Sequence, residues 1–187
     1  LLAKFGASTL LGYSVEMYGD AIDKLSLSDR VTIASMGTEM GAIIAMFPPN
    51  QEVIDFSENA TGRKIEPVYA DDNAEYDLIE EVDISSFVPM VSRPGQPHDT
   101  VPVSTDKKIK IDSAFIGSCT NGRLADLRAA AAILKNRKVA PGVVLKIVPS
   151  TDKIWQQALD EGLIKIFKDA GALVSNAGCG GCANGHV

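Results

Sequence analysis

Apolar positions in the second half of the chain fall into short runs separated by amphipathic stretches. Residues 109–116, 143–148 and 172–174 read as strands, while 124–136, 153–161 and 163–170 carry helical periodicity. Strand and helix alternate with few residues between them, which predicts a parallel sheet covered by helices. The first half is less regular. Val15, Tyr18, Ile22 and Leu25 are spaced as on one helix face, predicting a helix over 15–25, and residues 26–29 supply turn chemistry. The β-branched run 30–34 predicts a strand, Gly37-Thr38-Glu39 a turn, and 40–47 an apolar helix ended by Pro48 and Pro49. Asn50 is positioned to cap a helix over 51–61, and Gly62 to close it.

The acidic stretch 71–83 contains a strand candidate at 77–82. Residues 92–103 are rich in Pro, Gly and polar side chains and read as a linker. The expected organisation is a partial α/β domain over 1–100 and a second over 101–187, with no internal repeat. A net charge of -6 argues against nucleic acid or an anionic membrane as the main partner. An anionic substrate would then be held by local Arg, Lys and helix N-termini. No apolar run reaches the roughly 18–20 residues of a membrane span. Neither a Met nor a signal sequence opens the chain, and it stops just past its last cysteine, so a piece of a longer protein is expected.

All 3 cysteines lie in two turns of small residues, Gly117-Ser118-Cys119-Thr120-Asn121-Gly122-Arg123 and Gly178-Cys179-Gly180-Gly181-Cys182. Small residues let the backbone approach a metal closely, so thiols kept there suit ligation better than core filling. Both turns directly follow predicted strands. The C-terminal edge of a parallel sheet can therefore bring them together across the intervening sequence. Three thiolates leave a four-coordinate site open, as a substrate-binding centre requires. CxxC by itself also serves zinc, with His186 as the further ligand, or a redox disulfide. The odd cysteine count without an export signal favours a reducing compartment, with the cytoplasm as the expected address.

The Cys119 turn, followed by Leu124-Ala125-Asp126-Leu127-Arg128, and Asn176-Ala177-Gly178-Cys179-Gly180-Gly181-Cys182 together resemble the aconitase superfamily. Within it, the likeness is to the large subunits of two-subunit hydro-lyases that act on isopropylmalate or homoaconitate. Thr32-Ile33-Ala34-Ser35-Met36-Gly37-Thr38-Glu39-Met40-Gly41-Ala42 is similar to the segment where the family keeps a glutamate beside its cluster. The resemblance implies parallel-sheet, three-layer α/β domains and a 4Fe-4S cluster held by Cys119, Cys179 and Cys182. It implies dehydration and rehydration of a hydroxy acid, isopropylmalate in leucine biosynthesis or homoaconitate, at an iron that acts as a Lewis acid.

The same resemblance makes Glu39 a catalytic group at the departing hydroxyl; taken by itself Glu39 reads as a helix-capping residue. Asn121 and Arg123, with Thr120, would bind the substrate carboxylate or cluster sulfurs, or else cap and solvate the following helix. Ser35 stands where the family commonly has Asn, and Gly180-Gly181 departs from the usual residues between the paired cysteines. His98 reads as an exposed linker residue. The partner implied is a small subunit carrying the swivelling domain, and segments that the family places before and after this stretch supply further site residues. This chain alone is therefore expected to be inactive. A non-catalytic, zinc-stabilised module is the alternative from a different class.

Overall fold

The computed structural model describes residues 1–105 and 109–179. Two compact units divide the chain, Leu1–Lys108 and Ile109–Val187. Both are α/β, with small sheets.

In the second unit, β-strands Ser113–Gly117, Val144–Val148 and Leu173–Val174 form one parallel sheet in chain order. Helices Leu124–Leu134, Asp152–Asp160 and Leu163–Ala170 connect them, and the one-turn helix Ser118–Asn121 follows the first strand. The predicted order of elements is the one observed, with shorter strands. Leu127, Ala130 and Ala131 from the first long helix meet Leu145 and Ile147 from the central strand, Ala158, and Leu163, Ile164 and Phe167. Phe167, Leu127 and Ile147 are fully buried. Helical spacing on the connectors and a near-continuous apolar central strand produce this layered core. Thr151 starts the second long helix by accepting from the Ile154 N–H at 3.2 Å.

The first unit holds a helix at Leu2–Phe5, strand Ser14–Glu16, helices Asp20–Asp23 and Leu27–Ser35, a 3-10 turn Thr38–Met40, strand Ile44–Met46 and helix Gln51–Thr61. The two strands pair in parallel, Ser14 with Ile44 and Glu16 with Met46. A hairpin of Met90–Ser92 and Thr100–Pro102 completes it. The capped helix over 51–61 is present as expected, with the Asn50 side chain accepting from the Val53 N–H at 3.1 Å.

Five expectations for this unit fail. The helix expected over 15–25 is a strand and a one-turn helix, because Val15 pairs with Ala45 and Gly19, at φ 119, separates the two. Residues 30–34 are helical rather than extended. Ser26 and Asp29 form a reciprocal capping box, with N–H bonds of 3.2 and 3.1 Å, which starts a helix that carries the β-branched run along. The helix expected over 40–47 is a strand from Ile44, since Gly41 turns left-handed at φ 84 and frees the chain to pair. The supposed linker 92–103 folds as the hairpin, closed by Arg93 N–H to Asp99 O at 2.7 Å and Ser92 Oγ to Pro97 O at 2.7 Å. Residues 77–82 form neither helix nor strand.

Candidate metal centre

Cys119 lies two residues beyond the first strand of the second unit, in the one-turn helix Ser118–Asn121. The chain reaches that turn through strained backbone. Gly117 sits at φ 142, and the buried Ser118 adopts φ 69, a region that side chains other than glycine enter at a cost. An ideal Cβ at Gly117 would lie 2.0 Å from the Val148 carbonyl oxygen, and one at Gly122 would lie 2.5 Å from that same oxygen. Glycine at both ends of the cysteine turn is therefore what lets it press against the end of the central strand.

The second cysteine turn uses the same stretch. Ser175 N–H donates to Ile147 O at 3.1 Å and Gly178 N–H to Pro149 O at 3.2 Å, while Ser150 N–H donates to Gly122 O at 2.9 Å. Trp155 also donates its indole Nε1 to Ser175 O at 3.1 Å. Val148, Pro149 and Ser150 thus form a bracket that holds the Cys119 turn on one side and the approach to Cys179 on the other. Both thiols are exposed, and neither is in a disulfide.

Such soft donors on a rigid, small-residue edge suit a thiolate-bound iron-sulfur cluster. Among the described residues no three of His, Cys, Asp or Glu are grouped to hold a metal ion. Cys182 and His186 lie outside the described residues.

Asn121 and Arg123 share the edge with Cys119. Asp126, one turn further along, accepts from the Arg123 backbone N–H at 3.1 Å and from Asn121 Nδ2 at 3.5 Å. Asp126 therefore caps this helix and holds Asn121 with the same carboxylate. Its three-residue spacing from Arg123 is the signal that could have revealed it. Thr120 Oγ1 lies 3.8 Å from Cys119 Sγ.

Glu39 belongs to the first unit, in the middle of the 3-10 turn, and is exposed. The Ser35 carbonyl accepts from Thr38 Oγ1 at 3.1 Å, at the start of that turn. His98 is half-buried in the hairpin rather than exposed, with Nδ1 closed off and unpartnered among the described residues. A groove of about 370 Å³ lined by Lys110, Asp112, Pro141 and Val143 opens at the opposite, N-terminal edge of the sheet, away from the cysteines.

A family model described as the Aconitase family (aconitate hydratase) matches residues 1–186, and the chain belongs to that family. Over 186 residues it is 42% identical to the 3-isopropylmalate dehydratase large subunit of Halothermothrix orenii, covering 100% of this chain and 44% of the relative. The corresponding subunit of Clostridium botulinum is 40% identical over 187 residues, with 100% and 45% covered. The probable 3-isopropylmalate dehydratase large subunit of Methanothermobacter thermautotrophicus is 39% identical over 187 residues, again with 100% and 45% covered. The chain thus spans less than half the length of these relatives. Among the described residues no helix is long and apolar enough to cross a membrane.

Proposed function

We propose that this chain is the cluster-bearing part of a hydro-lyase large subunit that isomerises 3-isopropylmalate by dehydration and rehydration. The observation that carries the reading is the bracket of Val148, Pro149 and Ser150, which ties both cysteine turns to one strand end. Cys119, Cys179 and Cys182 would hold a 4Fe-4S cluster. When bound, the cluster supplies a Lewis-acidic iron that makes hydroxide a far better leaving group. Arg123 provides a cation for a substrate carboxylate, and Asn121, steadied by Asp126, an amide donor from the same turn. Glu39, a carboxylate on a short turn, moves the proton of the departing hydroxyl. A small subunit completes the site, as the relatives' "large subunit" names suggest.

The test is the complete large subunit, assembled with its small subunit and assayed on isopropylmalate and homoaconitate. Turnover of isopropylmalate by a brown protein with equal iron and sulfide is expected; preference for homoaconitate would move the substrate assignment. Cys182→Ser should lose colour and activity together. Glu39→Gln should stay brown while turnover falls on the order of 10²-fold, the usual scale for an acid-base group. Near-normal turnover in loaded Glu39→Gln would return Glu39 to a structural role.

A further inference from the structure

The bracket that joins the two cysteine turns spends its backbone on them. Ser150 N–H is used on Gly122 O and Pro149 O on Gly178 N–H, at 2.9 and 3.2 Å. What it does not spend is the Ser150 hydroxyl. That Oγ is closed off from solvent and has no hydrogen-bond partner among the described residues. Buried hydroxyls are almost always paired, because one without a partner has given up its water for nothing. The neighbouring Thr151 hydroxyl, by contrast, accepts from Ile154 N–H and caps the helix, so Ser150 is not needed for that task. The Ser150 backbone is held in place by its own N–H bond to Gly122 O and by the Pro149 carbonyl's bond to Gly178. The bracket's two outer faces are the turns bearing Cys119 and Cys179.

We propose that Ser150 is a positioning residue for the metal centre, its Oγ–H donating to a sulfur of the bound group, either a cysteine thiolate or an inorganic sulfide. The inference rests on the cluster reading above. A thiolate or sulfide is an acceptor in need of donors, and the hydroxyl is a donor in need of an acceptor. A hydrogen bond to sulfur withdraws electron density, raises the reduction potential and holds the ligand in place.

The experiment uses the complete large subunit, loaded without oxygen, as wild type, Ser150→Ala and Ser150→Thr. Wild type and Ser150→Ala should take up the same iron and sulfide. Ser150→Ala should then have a lower midpoint potential and lose its visible absorption in air about tenfold faster, the low end for removing an outer partner of a metal ligand. Ser150→Thr, which keeps the hydroxyl, should restore both. Thermal melting of the metal-free Ser150→Ala protein should not fall, since the hydroxyl has no partner there. Should Ser150→Ala fail to load, Ser150→Gly, which also removes the hydroxyl, decides by the same two measurements. Wild-type potential and wild-type bleaching in a loaded variant without the hydroxyl would overturn the proposal. Wild-type protein without iron and sulfide would instead overturn the cluster reading itself.

Discussion

The two units reach order by different means. In Ile109–Val187, helices and a parallel sheet share a contiguous apolar core that includes Leu127, Ile147 and Phe167. In Leu1–Lys108 the buried apolar cluster among the described residues is Leu10, Met40 and Ala42, with Leu1, Leu2, Phe5 and Val15 packed against it, and polar staples do much of the rest. Arg30, 4% exposed, donates to Pro48 O at 2.7 Å, Ile22 O at 3.0 Å and Leu25 O at 3.1 Å, with its guanidinium over the Phe47 ring. Hydrophobic layering is non-directional and tolerates variation, whereas a staple works only with its own partners in place. The layered unit therefore suits a rigid ligand-bearing edge. The stapled unit presents Glu39 on a short turn.

The sharpest way to break this contrast is at glycine. Gly117→Ala forces a Cβ to 2.0 Å from the Val148 oxygen, so about 4 kcal/mol or more should be lost, by urea denaturation, together with cluster binding. Gly62→Ala, where a Cβ meets open space, should cost only about 1–2 kcal/mol, the ordinary penalty for a left-handed residue. Equal costs would mean that the cysteine turn yields rather than holds.

A core truncation comes next. Phe167→Ala should cost about 3–5 kcal/mol because its surroundings are fixed on every side. Arg30→Met should cost about 2 kcal/mol by leaving three part-buried carbonyls short of a donor, and Arg30→Lys should recover only part of that, lacking the planar fork. An Arg30→Met protein as stable as wild type would show that the first unit rests on its apolar cluster after all.

The smallest effects are in pH. Arg128 bonds both Glu161 oxygens, at 2.8 and 2.6 Å, and holds that carboxyl below its ordinary 4.5. Lys165 does the same for Asp169. A lowered carboxyl favours the folded state above its ordinary pKa, and the benefit disappears as pH falls through the folded value. Glu161→Gln should therefore flatten the acid limb of stability slightly, the pair being exposed.

The first unit alone adds an alkaline limb. Tyr18 donates to Glu16 and shares a hydroxyl–hydroxyl bond of 3.2 Å with Tyr76, and these two bonds, the one to Glu16 first, push the Tyr18 phenol above its ordinary 10.0. That contribution is complete below pH 10.0 and is lost as pH rises through the raised value. Ultraviolet titration of wild type against Tyr18→Phe should lose the latest-titrating phenol; no change in the late step would detach Tyr18 from Glu16.

Legibility followed the same divide. The second unit's elements could be read because each strand and helix there buries a face, and burial writes a period into the sequence. In the first unit, residues 30–34 look like a strand by composition, yet the Ser26–Asp29 box and Arg30's three bonds fold them as helix. The strands at Ser14–Glu16 and Ile44–Met46 are three residues each, too short to carry an alternation. Asn50 and Gly62 were legible because a cap is a local event between near neighbours.

The sequence by itself determined the family, the α/β class and the caps of the helix over 51–61, since motif, composition and capping are local properties of the chain. Only the tertiary structure decided that Val148, Pro149 and Ser150 would hold the Cys119 turn and the approach to Cys179, and that the Ser150 hydroxyl would be left without a partner among the described residues. These facts depend on which strand ends become neighbours and which backbone groups are already paired. Both are settled by packing between segments far apart in the chain, where no local pattern records them.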